Sequence, residues 1–146
     1  MKAAVIYEIG GPDAFKIGEA LHPRNVEPTR DRQTNPTKRT IPTPKPGQVL
    51  IHIKASGLNG CEMFTRQGHS PNVHFPRILG IEATGLVEDA PGGEFQKGDV
   101  VATAMGETGR AYDGGYAEYT VVPATQLQKL TTTLLWPILG ACDEML

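Results

Sequence analysis

The sequence predicts a mainly β domain with a few short helices. Apolar and polar residues alternate along Gln48–Ala55, which is the period of a half-buried strand. The chain contains 17 glycines and 12 prolines, and these divide it into short runs at frequent intervals. Its 146 residues are sufficient for one domain with a hydrophobic core of its own.

The clearest strand signal is the segment Gln48–Ala55. Val49, Ile51 and Ile53 share one face of the expected strand, and Leu50 lies on the other face. Residues 42–47 before it contain three prolines and end in a Pro-Gly pair, which favours an extended lead-in followed by a turn. We therefore expect one face of this strand to be buried and the other to be partly exposed.

Weaker patterns predict the remaining elements. The other predicted strands are Ala3–Tyr7, Phe15–Gly18, Ala83–Glu88, Asp99–Ala104 and Tyr116–Val122. One short helix is expected over Gly60–Gln67, and another from Leu135 onward. Pro137 is compatible with the second helix only in its first turn, where its missing N–H has no intrahelical partner.

Residues 22–39 differ in composition from the rest of the chain. They are polar, contain prolines and have almost no aliphatic side chains. Such a segment buries too little apolar surface to offset the entropy lost when it becomes ordered. We expect it to be a disordered insertion within the domain.

Composition excludes several classes of function. Hydrophobic residues make up 39% of the chain and charged residues 21%, with a net charge of -2, so no basic surface for nucleic acid is expected. No apolar run is long enough for a membrane span or for the core of a signal peptide. The two cysteines, Cys61 and Cys142, cannot form a disulfide scaffold, so a cytoplasmic location is expected.

Three stretches together resemble the medium-chain dehydrogenase/reductase superfamily, in its quinone oxidoreductase (zeta-crystallin-like) branch. They are residues 42–59, residues 75–87, and residues 97–101 with 114–119. The resemblance implies a GroES-like, partly open β barrel, which in the family is followed by a Rossmann domain that binds the cofactor. It also implies zinc-independent oxidoreductase chemistry, with NADPH as the cofactor of the full-length protein and a quinone or enone as its substrate.

The resemblance also indicates that zinc is not used. Zinc alcohol dehydrogenases of the same superfamily have a cysteine and a histidine where this chain has Asn59 and Ile81. An aliphatic side chain has no lone pair, and a neutral amide is a poor zinc ligand. Cys61 could be considered a shifted ligand, but no histidine or second thiol is near it in the sequence. We therefore expect no metal site.

By the resemblance, Asn59 is the candidate catalytic and cofactor-binding residue. The family's asparagine at this position faces the nicotinamide, and its amide can both donate and accept a hydrogen bond. Asn59 could instead cap the helix that is expected to begin at Gly60. The two roles can coexist.

Three further residues are candidate substrate-binding residues. Phe64 stands where the family often has a tyrosine, so it offers a ring for stacking but no phenol proton. Arg66 could attract an anionic substrate or a cofactor phosphate, although it could also be an ordinary surface arginine. Ser70 lies in the following loop and could line the pocket.

The resemblance covers residues 1–123 apart from the insertion, and it implies a GroES-like domain over residues 1–130. Residues 131–146 look like the start of a linker helix to a cofactor domain. No Gly-x-Gly-x-x-Gly occurs in the chain, so we expect no Rossmann domain here. We interpret the chain as a truncated oxidoreductase that is inactive alone and does not bind NADPH tightly. The alternative is a stand-alone β module that binds another protein or forms a homodimer through the apolar residues near its end.

Overall fold

The structure is a computed structural model that describes residues 1–18 and 40–142. The predicted insertion at residues 22–39 lies outside the described residues, as do the last four residues of the predicted linker. Among the described residues, no helix combines the length and the apolar character needed to cross a bilayer.

Within residues 1–18 and 40–142, the domain has eight strands and two short α-helices. The strands are β1 (Ala3–Ile6), β2 (Phe15–Gly18), β3 (Gln48–Ala55), β4 (Arg77–Ile78), β5 (Glu82–Asp89), β6 (Val100–Ala104), β7 (Tyr119–Pro123) and β8 (Gln128–Lys129). The helices are α1 (Gly60–Arg66) and α2 (Trp136–Leu139), with 3-10 turns at Pro12–Ala14 and Ala124–Gln126. The predicted mainly β fold with a few short helices is confirmed.

In the described part of the chain, these strands form two sheets, and every pairing between them is antiparallel. The larger sheet has the order β7-β3-β5-β6-β8, and the smaller has the order β2-β1-β4. A bridge between Ala3 and Ala117 joins β1 to the segment before β7. The two sheets do not close into one hydrogen-bonded barrel over the described residues, which agrees with the expected partly open, GroES-like form.

β3 is more buried than its sequence pattern predicts. Val49 and Ile51 are buried on one face as expected, but Leu50 on the other face is also buried. Leu50 is buried because β3 is an inner strand of the larger sheet, with β5 on one side and β7 on the other. On the face of β3 that carries Leu50, exposure begins only toward the end of the strand, where Lys54 is exposed.

Two apolar clusters form the core. The first cluster contains five residues of the larger sheet, together with Leu127 from the link between β7 and β8; the sheet residues are Val49, Ile51, Val87, Val101 and Val122. The second cluster is built by Met1, Ala3, Val5 and Ile78, with Tyr116 and Tyr119 packed against it. The second cluster packs the smaller sheet against the segment that leads into β7.

Candidate functional site

The candidate site begins where β3 leaves the sheet and the chain turns into α1. Residues here are closely packed, since a Cβ added at Gly57 would lie within 1.7 Å of a Glu82 carboxylate oxygen. The Ser56 hydroxyl donates a hydrogen bond to the Glu82 carbonyl oxygen at 2.8 Å. This segment therefore has little freedom to move away from β5.

Asn59 is the N-cap of α1. Its backbone is extended, with φ -113° and ψ 153°, and its N–H donates to Oε2 of Glu62 at 2.9 Å. Glu62 is the third residue of the helix, so the two residues form a capping box. The Asn59 side-chain nitrogen Nδ2 is buried and has no hydrogen-bond acceptor. The cap is therefore present, and a strong donor remains available at the same residue.

Glu62 brings positions 59 and 81 together. Its side chain is buried, with 4% of the residue exposed. While Oε2 accepts from Asn59, Oε1 accepts the backbone N–H of Ile81 at 2.9 Å. The Cys61 thiol also donates to Oε2, at 3.5 Å. A buried carboxylate is expensive to desolvate unless it is hydrogen-bonded, and here its partners are backbone groups at both positions.

Tyr116 lies beside this carboxylate. Burial, and then the negative charge of Glu62, raise the pKa of the Tyr116 phenol above its ordinary value of 10.0. The phenol is therefore protonated throughout the neutral range. Tyr116 is also held in place by its backbone, since its N–H donates to the Leu79 carbonyl at 2.9 Å.

A small cavity lies beside Ile81. It is partly open to solvent and has a volume of about 110 Å³. Its walls are Ile81 and the loop residues Met105, Gly106, Glu107, Thr108 and Arg110. Ile81 therefore has two roles: its backbone N–H donates to Glu62, and the residue lines the cavity.

Phe64 lies on the exposed side of α1. Its side chain is 51% exposed and tilts against His69, with ring centroids 5.9 Å apart. Ser70 lies close to the same helix, because its hydroxyl is 2.8 Å from that of Thr65. Both residues are accessible in part, as a substrate-binding role requires.

Arg66 is buried, with 8% of the residue exposed. Its guanidinium donates to the Gly10 carbonyl oxygen at 2.6 Å, and the Gly10 N–H donates back to the Arg66 carbonyl at 3.1 Å. These two bonds connect the end of α1 to the turn between β1 and β2. This geometry favours a structural role over the substrate-binding role that the sequence suggests.

Of the positions singled out in the sequence, two share a hydrogen-bonding partner in the structure, and the other three contact different neighbours. Asn59 and Ile81 meet through Glu62, whereas Phe64, Arg66 and Ser70 have His69, Gly10 and Thr65 as neighbours. Sequence reasoning missed Glu62 and Tyr116. The spacing Asn-x-x-Glu is a signal that could have identified Glu62, since it marks a capping box.

The residues at this site do not fit zinc. Positions 59 and 81 present an amide and an aliphatic side chain, neither of which is a ligand that zinc prefers. Within residues 1–18 and 40–142, no group of three or more histidine, cysteine, aspartate or glutamate side chains could hold a metal ion. The Glu62 carboxylate, which contacts both positions, accepts hydrogen bonds from backbone donors.

The sequence is similar to those of known proteins that contain a GroES-like domain. Residues 45–132 match the alcohol dehydrogenase GroES-like domain family, and this stretch includes Asn59, Glu62, Ile81 and Tyr116. The chain is 29% identical to the quinone oxidoreductase of Homo sapiens over 137 residues, which cover 92% of this chain and 35% of the human protein. The chain spans about a third of the length of the curated relatives it matches.

Solved structures of relatives superpose on most of the chain. A quinone oxidoreductase of Pseudomonas syringae pv. Tomato DC3000 is 28% identical with a TM-score of 0.69, covering 92% of this chain and 35% of that one. A native mycobacterial structure complexed with NADPH is 26% identical with a TM-score of 0.67, again covering 92% and 35%.

Proposed function

Because the chain belongs to the alcohol dehydrogenase GroES-like domain family, in the quinone oxidoreductase-like branch of the medium-chain dehydrogenases/reductases, we propose that it is the substrate-side domain of a zinc-independent, NADPH-dependent oxidoreductase. The observation that carries the proposal is the meeting of Asn59 and Ile81 on the Glu62 carboxylate. An amide and an aliphatic side chain occupy adjoining positions where zinc enzymes place metal ligands.

We assign the catalytic and cofactor-contacting role to Asn59. Its Nδ2 is a buried donor without an acceptor, which costs about 1–3 kcal/mol unless a ligand supplies the acceptor. A carbonyl oxygen of a cofactor or substrate is a suitable acceptor. The capping box holds the Asn59 backbone, so the amide would act as a pre-positioned donor.

The substrate proposed for the full-length protein is a quinone or an enone. Phe64 offers an exposed ring for stacking on a flat molecule, and Ser70 offers a hydroxyl near the same helix. Arg66 remains a prediction as a substrate contact, because its guanidinium already donates to Gly10. A substrate contact would require that bond to be shared or broken.

The cofactor proposed for the full-length protein is NADPH, and the NADPH complex of the mycobacterial relative supports this choice. NADPH supplies a hydride to the substrate when it is bound. The chain itself has no Gly-x-Gly-x-x-Gly turn to hold a pyrophosphate. We expect a fluorescence titration of this chain with NADPH to show no saturation in the micromolar range, and tight saturable binding would contradict this part of the proposal.

The proposed division of the chain is a GroES-like domain over residues 1–130 and the start of a linker over residues 131–146. α2 packs against the domain, since a Cβ added at Gly140 would lie 2.5 Å from that of Ala55. The cytoplasm is the proposed location. Sequencing the transcript beyond Leu146 tests the division directly, because a cofactor domain requires a strand, a glycine-rich turn and a helix to follow.

Zinc independence has its own test. Elemental analysis of the purified chain is expected to find far less than one zinc per chain. A control preparation with Asn59→Cys and Ile81→His, grown in the same zinc-containing medium, introduces the two ligand types at the adjoining positions. Stoichiometric zinc in the unmodified chain would contradict the proposal.

A second candidate function is a module that binds another protein or a second copy of itself. Exposed apolar side chains near and within α2 favour a contact surface; they are Leu134, Leu135 and Ile138, with Leu58 also exposed. Light scattering over a range of concentrations separates the candidates. A discrete dimer would support the module, whereas concentration-dependent aggregates would support a domain that lacks its neighbour.

A further inference from the structure

Asn59 is followed directly by a glycine, and this order of residues permits a covalent reaction. The backbone nitrogen of the residue after an asparagine can attack the side-chain amide carbon, which closes a succinimide ring and releases ammonia. A side chain on that following residue hinders the attack, and glycine has none. The asparagines of the chain are followed by Val26, Pro36, Gly60 and Val73. Asn59 is therefore the asparagine of this sequence that is most open to the reaction.

The attacking nitrogen belongs to Gly60, the first residue of α1. Gly60 is exposed, and a Cβ added to it would meet no atom within 4 Å. The N–H of a first helical residue has no acceptor within its own helix. No intrahelical hydrogen bond therefore has to break before this nitrogen reacts, and the space beside it is open.

The capping box slows the reaction at Asn59 but does not block it. It holds the backbone extended, with ψ 153°, and ring closure requires rotation about the Cα–C bond of Asn59. The box lies at the end of a helix of only seven residues, and such an end opens more easily than the core of a domain. Among the described residues, no acceptor holds Nδ2, the nitrogen that must leave.

We propose that Asn59 is a site of spontaneous deamidation. A bond forms between the Gly60 nitrogen and Cγ of Asn59, and the bond between Cγ and Nδ2 breaks. The leaving NH₂ group takes the proton of the Gly60 N–H and departs as ammonia. Water then opens the succinimide ring at either of its carbonyl carbons, which produces aspartate or isoaspartate at position 59. Water is the only co-reactant.

Deamidation removes the side-chain donor at position 59. Aspartate has no side-chain N–H, and it adds a negative charge close to the Glu62 carboxylate that accepts the backbone N–H of the same residue. Isoaspartate also adds a methylene group to the backbone at the capping position, which disturbs the start of α1. The reaction itself does not depend on the proposed function, but its effect does, because the lost amide is the donor assigned to a cofactor or substrate.

The test is peptide mapping of the folded 146-residue chain during incubation at mildly alkaline pH. Trypsin cleaves after lysine and arginine, so it releases residues 55–66, in which Asn59 is the only asparagine. This peptide should gain about 1 Da in mass, and isoaspartyl methyltransferase should label part of it. The rate should increase with pH, because the attack requires the Gly60 nitrogen to lose its proton.

Asn72 is the internal control. It lies in the next tryptic peptide, residues 67–77, and Val73 follows it. Because the β-branched side chain of valine hinders the attack, Asn72 should react at least about tenfold more slowly than Asn59. Equal rates at the two asparagines would contradict the proposal.

Gly60→Ala is the matched variant, because the added methyl group has open space around it. It should slow the mass gain of residues 55–66 at least about fivefold, and an unchanged rate would contradict the assignment. A sample unfolded in urea sets the time scale, since no capping box restrains Asn59 there. The proposal is overturned if the folded chain gains no mass over about ten times the period in which the unfolded sample converts completely. None of these measurements involves NADPH or a substrate, so their outcome is separate from that of the proposed function.

Discussion

The carboxylate of Glu62 accepts the backbone N–H of Ile81 at 2.9 Å, although the two residues belong to different elements. The same carboxylate accepts the N–H of Asn59 through its other oxygen. One buried side chain therefore sets the separation between the helix that carries Asn59 and the strand that follows Ile81. Four predictions follow from this and related contacts.

Replacing Glu62 with glutamine should destabilise the domain by about 1–3 kcal/mol. In Glu62, each carboxylate oxygen accepts one backbone N–H, from Asn59 or from Ile81. Glutamine has an NH₂ group in place of one of these oxygens, so one of the two backbone donors loses its acceptor. Urea unfolding measures the change. Glu88→Gln is the matched control, because Glu88 pairs with Lys97 at the exposed surface, and this substitution should destabilise the domain much less. Equal losses in the two variants would contradict the role assigned to Glu62.

Asn59 variants separate the capping role from the role of the free amide. Asn59→Ala should cost about 1 kcal/mol, because alanine cannot cap α1. Asn59→Ser should be at least as stable as the original chain and about 1 kcal/mol or more above Asn59→Ala, since serine caps well and also removes the buried donor that lacks an acceptor. Thermal unfolding provides the measurement. If serine is as destabilising as alanine, the amide makes a stabilising contact that the structure does not reveal.

Gly80→Ala should destabilise the chain by about 3 kcal/mol or more. Gly80 has a φ of 100°, and an added Cβ would lie 2.8 Å from the backbone nitrogens of Gly115 and Tyr116. Gly93→Ala is the control, because Gly93 also has a positive φ, of 79°, but faces open space. It should cost only the backbone strain, about 1 kcal/mol. Similar values for both variants would show that the packing at Gly80 is unimportant.

Tyr116 should make the domain sensitive to alkaline pH. Its raised pKa means that the folded chain binds the phenol proton more tightly than the unfolded chain does. This contribution to stability is complete below about pH 10 and decreases as the pH rises above that value. Urea unfolding at about pH 8 and about pH 11 should show a smaller decrease for Tyr116→Phe than for the original chain. An identical decrease would mean that Tyr116 is not the group responsible.

Local patterns were sufficient to predict much of the fold. The alternation in β3 and the short run in β2 predicted both strands with the bounds that the structure shows. Pro137 lies in the first turn of α2, as its missing N–H requires. Each of these features depends on nearby residues or on backbone sterics.

Features that depend on distant partners were not predicted. β4 and β8 have only two residues each, and they exist because β1 and β6 lie beside them. Arg66 reads as a surface residue of a short helix, but Gly10, 56 positions earlier, accepts its hydrogen bond. The three left-handed residues at 105–107 include two that are not glycine, so no turn signal marked them.

The pairing of β1 has a consequence for folding during synthesis. The Lys2 amide donates to the side chain of Glu118, which is 116 positions later, and Ala3 forms a bridge with Ala117. The first strand therefore cannot complete its contacts until nearly all of the domain has emerged from the ribosome. Topologies dominated by such non-local contacts fold slowly. Until then, β1 lacks its contacts with the segment before β7, and apolar surface exposed in this way makes a partly folded chain prone to aggregation.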